Sequence, residues 1–142
     1  MGDATLNRFL SNEVDPGLLS PLDLAFVGDS VFEMFVREAL VTEANRPTGE
    51  LHAMKVKLVN ARAQEEAANI IADVLTDREA SIYRRGRNAK TNHTPKNMSS
   101  ASYHAATGFE ALFGYLYLSG EIDRLRELFA LIYNRQEELN SL

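Results

Sequence analysis

The sequence predicts an all-α fold of about seven helices in a single domain spanning residues 1–142. Apolar residues mostly recur at the three-to-four-residue spacing of a helix surface, and no segment alternates as a strand would. The few Gly and Pro residues mark breaks between long stretches rich in Ala, Leu, Glu and Arg. A hydrophobic fraction of 45% is enough for such helices to share one core.

The predicted helices begin at residues that favour helix starts. A short helix covers 4–12 with Asp3 as its N-cap, and the segment VDPGLL forms a turn. Ser20 then caps a long helix that runs from Pro21 to about Glu43, since proline favours the first helical position. A helix begins at Thr48, and the next one covers 61–75 with Asn60 as its N-cap. Asp77 is the predicted N-cap of the following helix. The last two helices begin at Ser100, ending before Gly120, and at 121, ending near 138.

Composition excludes several classes of protein. Cysteine is absent, so disulfide frameworks and thiolate metal sites are excluded. No apolar run reaches the roughly 18 residues that span a membrane, and the N-terminus has no basic and apolar leader. We therefore expect a cytoplasmic protein without a membrane partner.

The charge distribution indicates a polyanionic partner despite a net charge of −5. The segment 80–109 has no Asp or Glu and five cations, so it carries +5 and the rest of the chain −10. Candidate RNA-binding residues in and beside this segment are Arg84, Arg85, Arg87, Asn88, Lys90, Thr94, Lys96 and Asn97. Tyr83 is its aromatic residue nearest the arginines, which favours a duplex bound by its backbone over stacked single-stranded bases. A solvated basic loop remains the alternative.

Two sets of carboxylates stand in apolar surroundings. Asp29 and Glu33 lie one helical turn apart in LDLAFVGDSVFE, so they share a helix face with Arg37. Glu110 lies among apolar residues of a second predicted helix. An unpaired carboxylate there is costly or has a raised pKa. Two explanations stay open: a Glu33–Arg37 ion pair with capping contacts for Asp29, or a divalent cation held by acids of two packed helices.

The histidines give no independent sign of catalysis. His93 lies in the polar segment TNHTPKNMSS, where solvent exposure is the ordinary state, and His104 lies on a predicted helix, where a packing role is more common. Neither has a second histidine at metal-ligand spacing. No Ser/His/Asp arrangement and no phosphate-binding glycine loop is readable in the sequence.

Two motifs resemble those of the ribonuclease III family. LAFVGDSVFE resembles the signature usually read as E-x-L-E-F-L-G-D-x-V, and TGFEALFGYLYL resembles A-D-x-F-E-A-L-I-G-A-x-Y-L. LVNARAQ is similar to the helix junction between them, so the resemblance covers essentially the whole chain. RGRNAK followed by TPKN is similar to a short subgroup that consists of the catalytic domain alone. We therefore expect a ribonuclease III-like endonuclease domain and no double-stranded-RNA-binding domain after Leu142.

The resemblance assigns roles to individual positions. Asp29 and Glu110 match the family's catalytic, metal-binding acids, and the implied cation is Mg²⁺, with Mn²⁺ as a substitute. Ala25 and Thr107 stand where larger members have Glu and Asp, and Asp23 is two positions away from the first gap. Residues expected beside the metal ligands or at a subunit interface are Glu33, Arg37 and Thr107.

The resemblance also implies an activity and partners. The expected protein is a homodimer that pairs through its signature helix and cleaves double-stranded RNA, leaving 5′-phosphate and 3′-hydroxyl ends. The implied substrate is precursor ribosomal RNA, trimmed at the ends of the 23S species with the help of a large-subunit ribosomal protein. The alternatives are a weak or inactive double-stranded-RNA-binding dimer of the same fold, acting in ribosome assembly, and a helical scaffold without an RNA role.

Overall fold

The computed structural model describes residues 7–90 and 99–140. These residues form six α-helices and two short 3₁₀ turns, Pro16–Leu18 and Ala72–Val74, with no strand among them. The helices are α1 (Pro21–Glu43), α2 (Thr48–Val59), α3 (Ala61–Ile71), α4 (Asp77–Arg87), α5 (Ser100–Leu118) and α6 (Ile122–Asn140). The all-α prediction is confirmed. Within the described residues, no helix has a long enough apolar stretch to cross a membrane.

Helix α5 is the centre of the fold and packs against α1, α3, α4 and α6. Its Phe109 and Phe113 are fully buried, and both rings meet the edge of Phe32 from α1, with centroids 4.9 and 5.5 Å away. Leu128 and Ile132 of α6 close the same core. Because nearly every face of α5 is covered, any polar side chain on it lies close to another helix.

Glycines allow two helices to approach α5 closely. A Cβ on Gly28 would lie 1.6 Å from the carbonyl oxygen of Glu110, and a Cβ on Gly114 would lie 1.9 Å from that of Leu24. The backbones of α1 and α5 are therefore in direct contact, and a side chain at either glycine would force the helices apart. Where α4 meets α5, a Cβ on Gly86 would lie 2.8 Å from the Cα of Gly108.

The helix caps mostly follow the sequence. The Ser20 side chain accepts a hydrogen bond from the Asp23 N–H at 3.1 Å, and the side chain of Asn60 accepts one from the Ala63 N–H at 2.8 Å. The predicted cap Asp77 is wrong by one residue, because Thr76 is the N-cap of α4.

Thr76 is preferred because it forms a reciprocal capping box with Glu79. The Thr76 hydroxyl accepts from the Glu79 N–H at 3.1 Å, while the Glu79 carboxylate accepts from the Thr76 N–H at 2.9 Å. Two backbone donors are thereby satisfied, which a cap at position 77 would not achieve with this spacing.

The predicted first helix, 4–12, is wrong over its described part. Residues 7–15 contain no helix, and residues 1–6 lie outside the described part. The Phe9 N–H donates to the Tyr117 hydroxyl at 2.6 Å, and the two rings meet edge to face at 5.6 Å. This tertiary contact outweighs a nine-residue helix, which is marginal by itself. The predicted turn VDPGLL closes as the short 3₁₀ turn, capped by Asp15.

Helix α1 is less buried than its composition suggests. Its apolar character on nearly every side predicts a fully buried helix, yet only one face packs on α5 and the core. The opposite face exposes four large apolar side chains of Leu22, Phe26, Met34 and Val41, with Phe26 82% exposed. Within one copy, no element of the described residues covers this apolar stripe.

Candidate active site

Asp29 of α1 and Glu110 of α5 meet where the two helices cross at Gly28. Asp29 is exposed, whereas Glu110 is mostly covered. Burial, the negative charge of Asp29 and a hydrogen bond between the two carboxyl groups together raise the pKa of Glu110 to about 8. The structure therefore brings the two acids into contact, although the prediction that Asp29 is buried is wrong.

Neither acid of the pair has a cationic partner within residues 7–90 and 99–140. The nearby cations are engaged by Glu33 instead: Arg37 lies 2.7 Å from its carboxylate, and Lys55 of α2 lies 3.8 Å away. The predicted Glu33–Arg37 ion pair is confirmed. This ion pair compensates the charge of Glu33. It does not account for Asp29 or Glu110.

The positions that depart from the larger family members supply no further carboxylate. Ala25 is buried, and the Thr107 hydroxyl donates to the Tyr103 carbonyl of its own helix at 3.0 Å. Asp23 is exposed in the first turn of α1, where its N–H completes the Ser20 cap. In the described part of the chain no three His, Asp or Glu side chains cluster as metal ligands.

The chemistry of the pair fits a hard divalent cation. Burial and the adjacent Asp29 carboxylate both make ionisation of Glu110 costly, and its pKa is raised accordingly. Mg²⁺ prefers carboxylate oxygen and keeps several of its waters, so two ligands from the protein can suffice for one ion. Asp29 and Glu110 are the residues that could hold it.

Helix α4, which carries the basic residues, packs against α5 and also contacts α1. Arg84, Arg85 and Arg87 are exposed in the last turn, and the Arg87 guanidinium lies over the Tyr83 ring at 5.6 Å from its centroid. The glycine among them, Gly86, contacts α5 near Thr107 and Ala111, one turn or less from Glu110 along the helix.

The other candidate RNA-binding residues follow α4. Asn88 is its C-cap, and Lys90 is exposed. Thr94, Lys96 and Asn97, together with His93, lie outside the described residues. The positive end of α4 thus leads directly into the part of the basic segment whose position is not described.

Sequence reasoning missed Gln64 of α3. Its side chain is 3% exposed, and its amide lowers the pKa of Glu110 by hydrogen bonding, against the larger effects of burial and Asp29. A signal was present, because Gln64 falls on the face of α3 that buries Ala63, Ala67, Ala68 and Ile71. A polar residue within such a face requires a polar partner.

The comparison with known proteins places this geometry in a family. The model of the Ribonuclease III domain family matches residues 22–121, which include both acids and the arginines of α4. The chain belongs to the ribonuclease III family. It is therefore an endoribonuclease by family, and the expectation drawn from the two acidic motifs is confirmed at that level.

Relatives within the family align with this chain along most of their length. The chain is 48% identical over 120 residues to Mini-ribonuclease 3 of Thermoanaerobacter, covering 84% of both chains. It is 44% identical to Mini-ribonuclease 3 of Symbiobacterium thermophilum, covering 80% of this chain and 88% of the relative. A crystal structure of a Fusobacterium nucleatum protein matches with a TM-score of 0.76 and 25% identity, over 84% of this chain and 95% of that one.

Proposed function

We propose that the protein cleaves double-stranded RNA with a divalent cation, Mg²⁺ by preference, held by Asp29 and Glu110. The observation that carries the proposal is the contact of these two acids without a compensating cation. Such a pair at the crossing of two helices is a costly arrangement when no cation compensates it. Cation binding at this pair explains why the cost is tolerated.

The two acids would act by holding the ion beside the scissile phosphate. Bound there, the cation would supply an activated water and stabilise charge on the phosphate and on the leaving 3′ oxygen. Hydrolysis breaks the bond between phosphorus and the 3′ oxygen, so the products carry 5′-phosphate and 3′-hydroxyl ends. Glu33 stays paired with Arg37 and Lys55, which keeps both cations from neutralising the pair.

The basic segment would hold the duplex by its phosphates. Arg84, Arg85 and Arg87 are solvent-exposed in the last turn of α4. None of the three pairs with a carboxylate among the described residues. Phosphate contacts orient a duplex without reading its sequence. The proposed RNA contacts are Arg84, Arg85, Arg87, Asn88, Lys90, Thr94, Lys96 and Asn97.

The active form would be a homodimer built on α1. The exposed apolar stripe of Leu22, Phe26, Met34 and Val41 runs beside Asp29, so covering it with a second copy would bring two acid pairs to one assembly. A sedimentation experiment at micromolar concentration should give twice the chain mass of 15.9 kDa. A stable monomer would contradict the dimer while leaving the acid pair untouched.

We further propose, on the sequence resemblance alone, that the natural duplex is precursor ribosomal RNA at the ends of the 23S species. A large-subunit ribosomal protein would assist, and the site of action would be the cytoplasm. Deleting the gene should then lengthen the mature 23S ends, which end mapping would measure. Unchanged ends would remove this substrate and leave the proposed chemistry standing.

The direct test is cleavage of a long synthetic RNA duplex by the purified protein with Mg²⁺ or with EDTA. We expect products with Mg²⁺, none with EDTA, and none from single-stranded RNA of the same sequence. The missing carboxylates at Ala25 and Thr107 favour a second candidate, a dimer that binds duplex RNA without cleaving it. Binding without cleavage in Mg²⁺ would establish that alternative.

A further inference from the structure

Gln64 is a buried polar side chain close to Glu110 of the acid pair. It belongs to the first turn of α3, four residues after the cap Asn60, and it is 3% exposed. Alanines and Ile71 surround it on that face of the helix. An apolar side chain of the same length would fill this space without needing hydrogen bonds, so packing alone does not explain a glutamine.

The orientation of the Gln64 amide is fixed by the main chain. Its Nε2 donates to the Val59 carbonyl at 2.9 Å, and a carbonyl can only accept, so the NH₂ group must face the break between α2 and α3. The same amide lies close enough to Glu110 to stabilise its carboxylate by hydrogen bonding. The side-chain amide of Gln64 thus links the acid to the backbone at the end of α2.

The other half of the amide has no partner among the described residues. Gln64 Oε1 is buried and accepts no hydrogen bond from them. It is bonded to the same carbon as Nε2. Buried polar atoms are almost always satisfied in folded proteins, by the chain or by an ordered water. A lone acceptor next to a pair of carboxylates suits a hydrogen-bond donor that enters with a ligand of the pair.

We propose that Gln64 is a positioning residue of the acid pair, which orients the Glu110 carboxylate through its NH₂ group and accepts a hydrogen bond through Oε1 from a water of the bound cation. The inference rests on the proposed cation site at Asp29 and Glu110. It adds a third helix to that site, since α3 would fix the acid that α5 provides. Partners of metal ligands commonly change metal affinity by about 10–100-fold when removed.

The test compares Mg²⁺ binding by calorimetry, without RNA, in the wild type, Gln64→Met and the control Gln136→Met. Gln136 lies on α6, away from the acids, so the control repeats the chemical change elsewhere. We expect Gln64→Met to fold in EDTA with an unchanged or higher Tm and to bind Mg²⁺ about 10-fold more weakly. Its cleavage rate should fall at limiting Mg²⁺ and recover at saturating Mg²⁺, whereas the control stays at wild-type values.

The outcomes separate this inference from the function it rests on. If the wild type binds Mg²⁺ and Gln64→Met binds it within twofold, Gln64 only fills space and the inference is wrong. If the wild type binds no Mg²⁺, the proposed function itself fails. Should Gln64→Met not fold, Gln64→Asn keeps the amide but withdraws it from Glu110, and it must still lose affinity. Loss of folding in both variants would make Gln64 a structural residue and overturn the inference.

Discussion

Two glutamates of this chain lie in protein interior and differ in what faces them. Glu79 of α4 is 5% exposed, and two of its carboxylate contacts to Arg124 of α6 are 2.9 Å long. Burial raises its pKa, but the hydrogen bonds from Arg124 and Thr76 outweigh burial, so the net pKa is lowered. Glu110 is also mostly buried, but it faces Asp29, and its pKa rises to about 8.

The difference teaches how a structural acid and a proposed metal-binding acid can be told apart by their partners. Glu79 is fully compensated, since it caps α4 and ties that helix to α6. Glu110 has an amide and another acid as neighbours, which leaves negative charge unpaired when both ionise. Burial is common to both sites, so the lack of a cationic side chain beside Glu110 is the feature that indicates a ligand site.

The largest expected difference between the two glutamates concerns cleavage. Glu110→Gln and Asp29→Asn should each lower the cleavage of duplex RNA by at least about 100-fold, because each replaces a charged ligand by a neutral amide of the same shape. The double variant should be little worse than either. Glu79→Gln should cleave at close to the wild-type rate where it is folded. Gel-based rates with matched circular dichroism spectra would measure this, and a fast Asp29→Asn enzyme would remove the acid pair from the mechanism.

The same substitutions should have opposite effects on stability. Without divalent cations at pH 8, Glu79→Gln should lower the free energy of unfolding by about 2–3 kcal/mol, the low part of the range for broken buried pairs because the Arg124 side chain is 22% exposed. Glu110→Gln should instead raise it by roughly 2 kcal/mol, since a neutral side chain avoids the cost of burying a charge and the repulsion with Asp29. Urea unfolding would measure both, and a destabilised Glu110→Gln would mean that its carboxylate is compensated after all.

The pH dependence of stability should separate the two sites further. The folded chain keeps a proton on Glu110 up to a pKa of about 8, whereas the unfolded chain releases it near the ordinary glutamate pKa of 4.5. Metal-free stability should therefore fall as pH rises through this window, and Glu110→Gln should flatten the decline. The lowered pKa of Glu79 acts in the other direction, because its contribution is lost only as pH falls below the unfolded value. Tm measured at several pH values in EDTA would check both slopes.

The smallest expected effect concerns the arginines of α4. Arg85→Ala should weaken duplex binding about equally for all sequences and reduce the slope of log affinity against log salt by roughly 0.9, taking the B-DNA value as a guide. Arg126→Ala on α6 is the matched control, since Arg126 is exposed and pairs with Asp123. Equal slopes for both variants would indicate that RNA does not contact Arg85. Mg²⁺ binding should be unchanged in both, because these arginines do not touch the acids.

The sequence predicted the helices and the acid pair for reasons that are local. Ser20 before Pro21 and Asn60 before Ala61 cap their helices as expected, because capping depends on residues within one turn. Asp29 and Glu110 could be singled out because motif and apolar context surround each of them in the chain. The Glu33–Arg37 pair was likewise readable from its four-residue spacing.

What the sequence could not predict depends on contacts between distant residues. The Phe9–Tyr117 contact holds the N-terminal segment outside a helix, and nothing near Phe9 announces it. The exposure of Asp29 follows from which face of α1 meets α5, which the all-round apolar pattern of α1 conceals. Gln64 gained its meaning only when α3 was seen to bring it to Glu110.

Thermal unfolding with and without Mg²⁺ at pH 8 tests most directly the claim that Asp29 and Glu110 form a cation site. A ligand that binds only the folded state raises the free energy of unfolding, by about 2.7 kcal/mol at a ligand concentration of 100 times its Kd, and so raises Tm. We predict that Mg²⁺ raises the Tm of the wild type and of Glu79→Gln by several degrees and leaves that of Glu110→Gln unchanged. An equal increase in Tm for Glu110→Gln would contradict the claim.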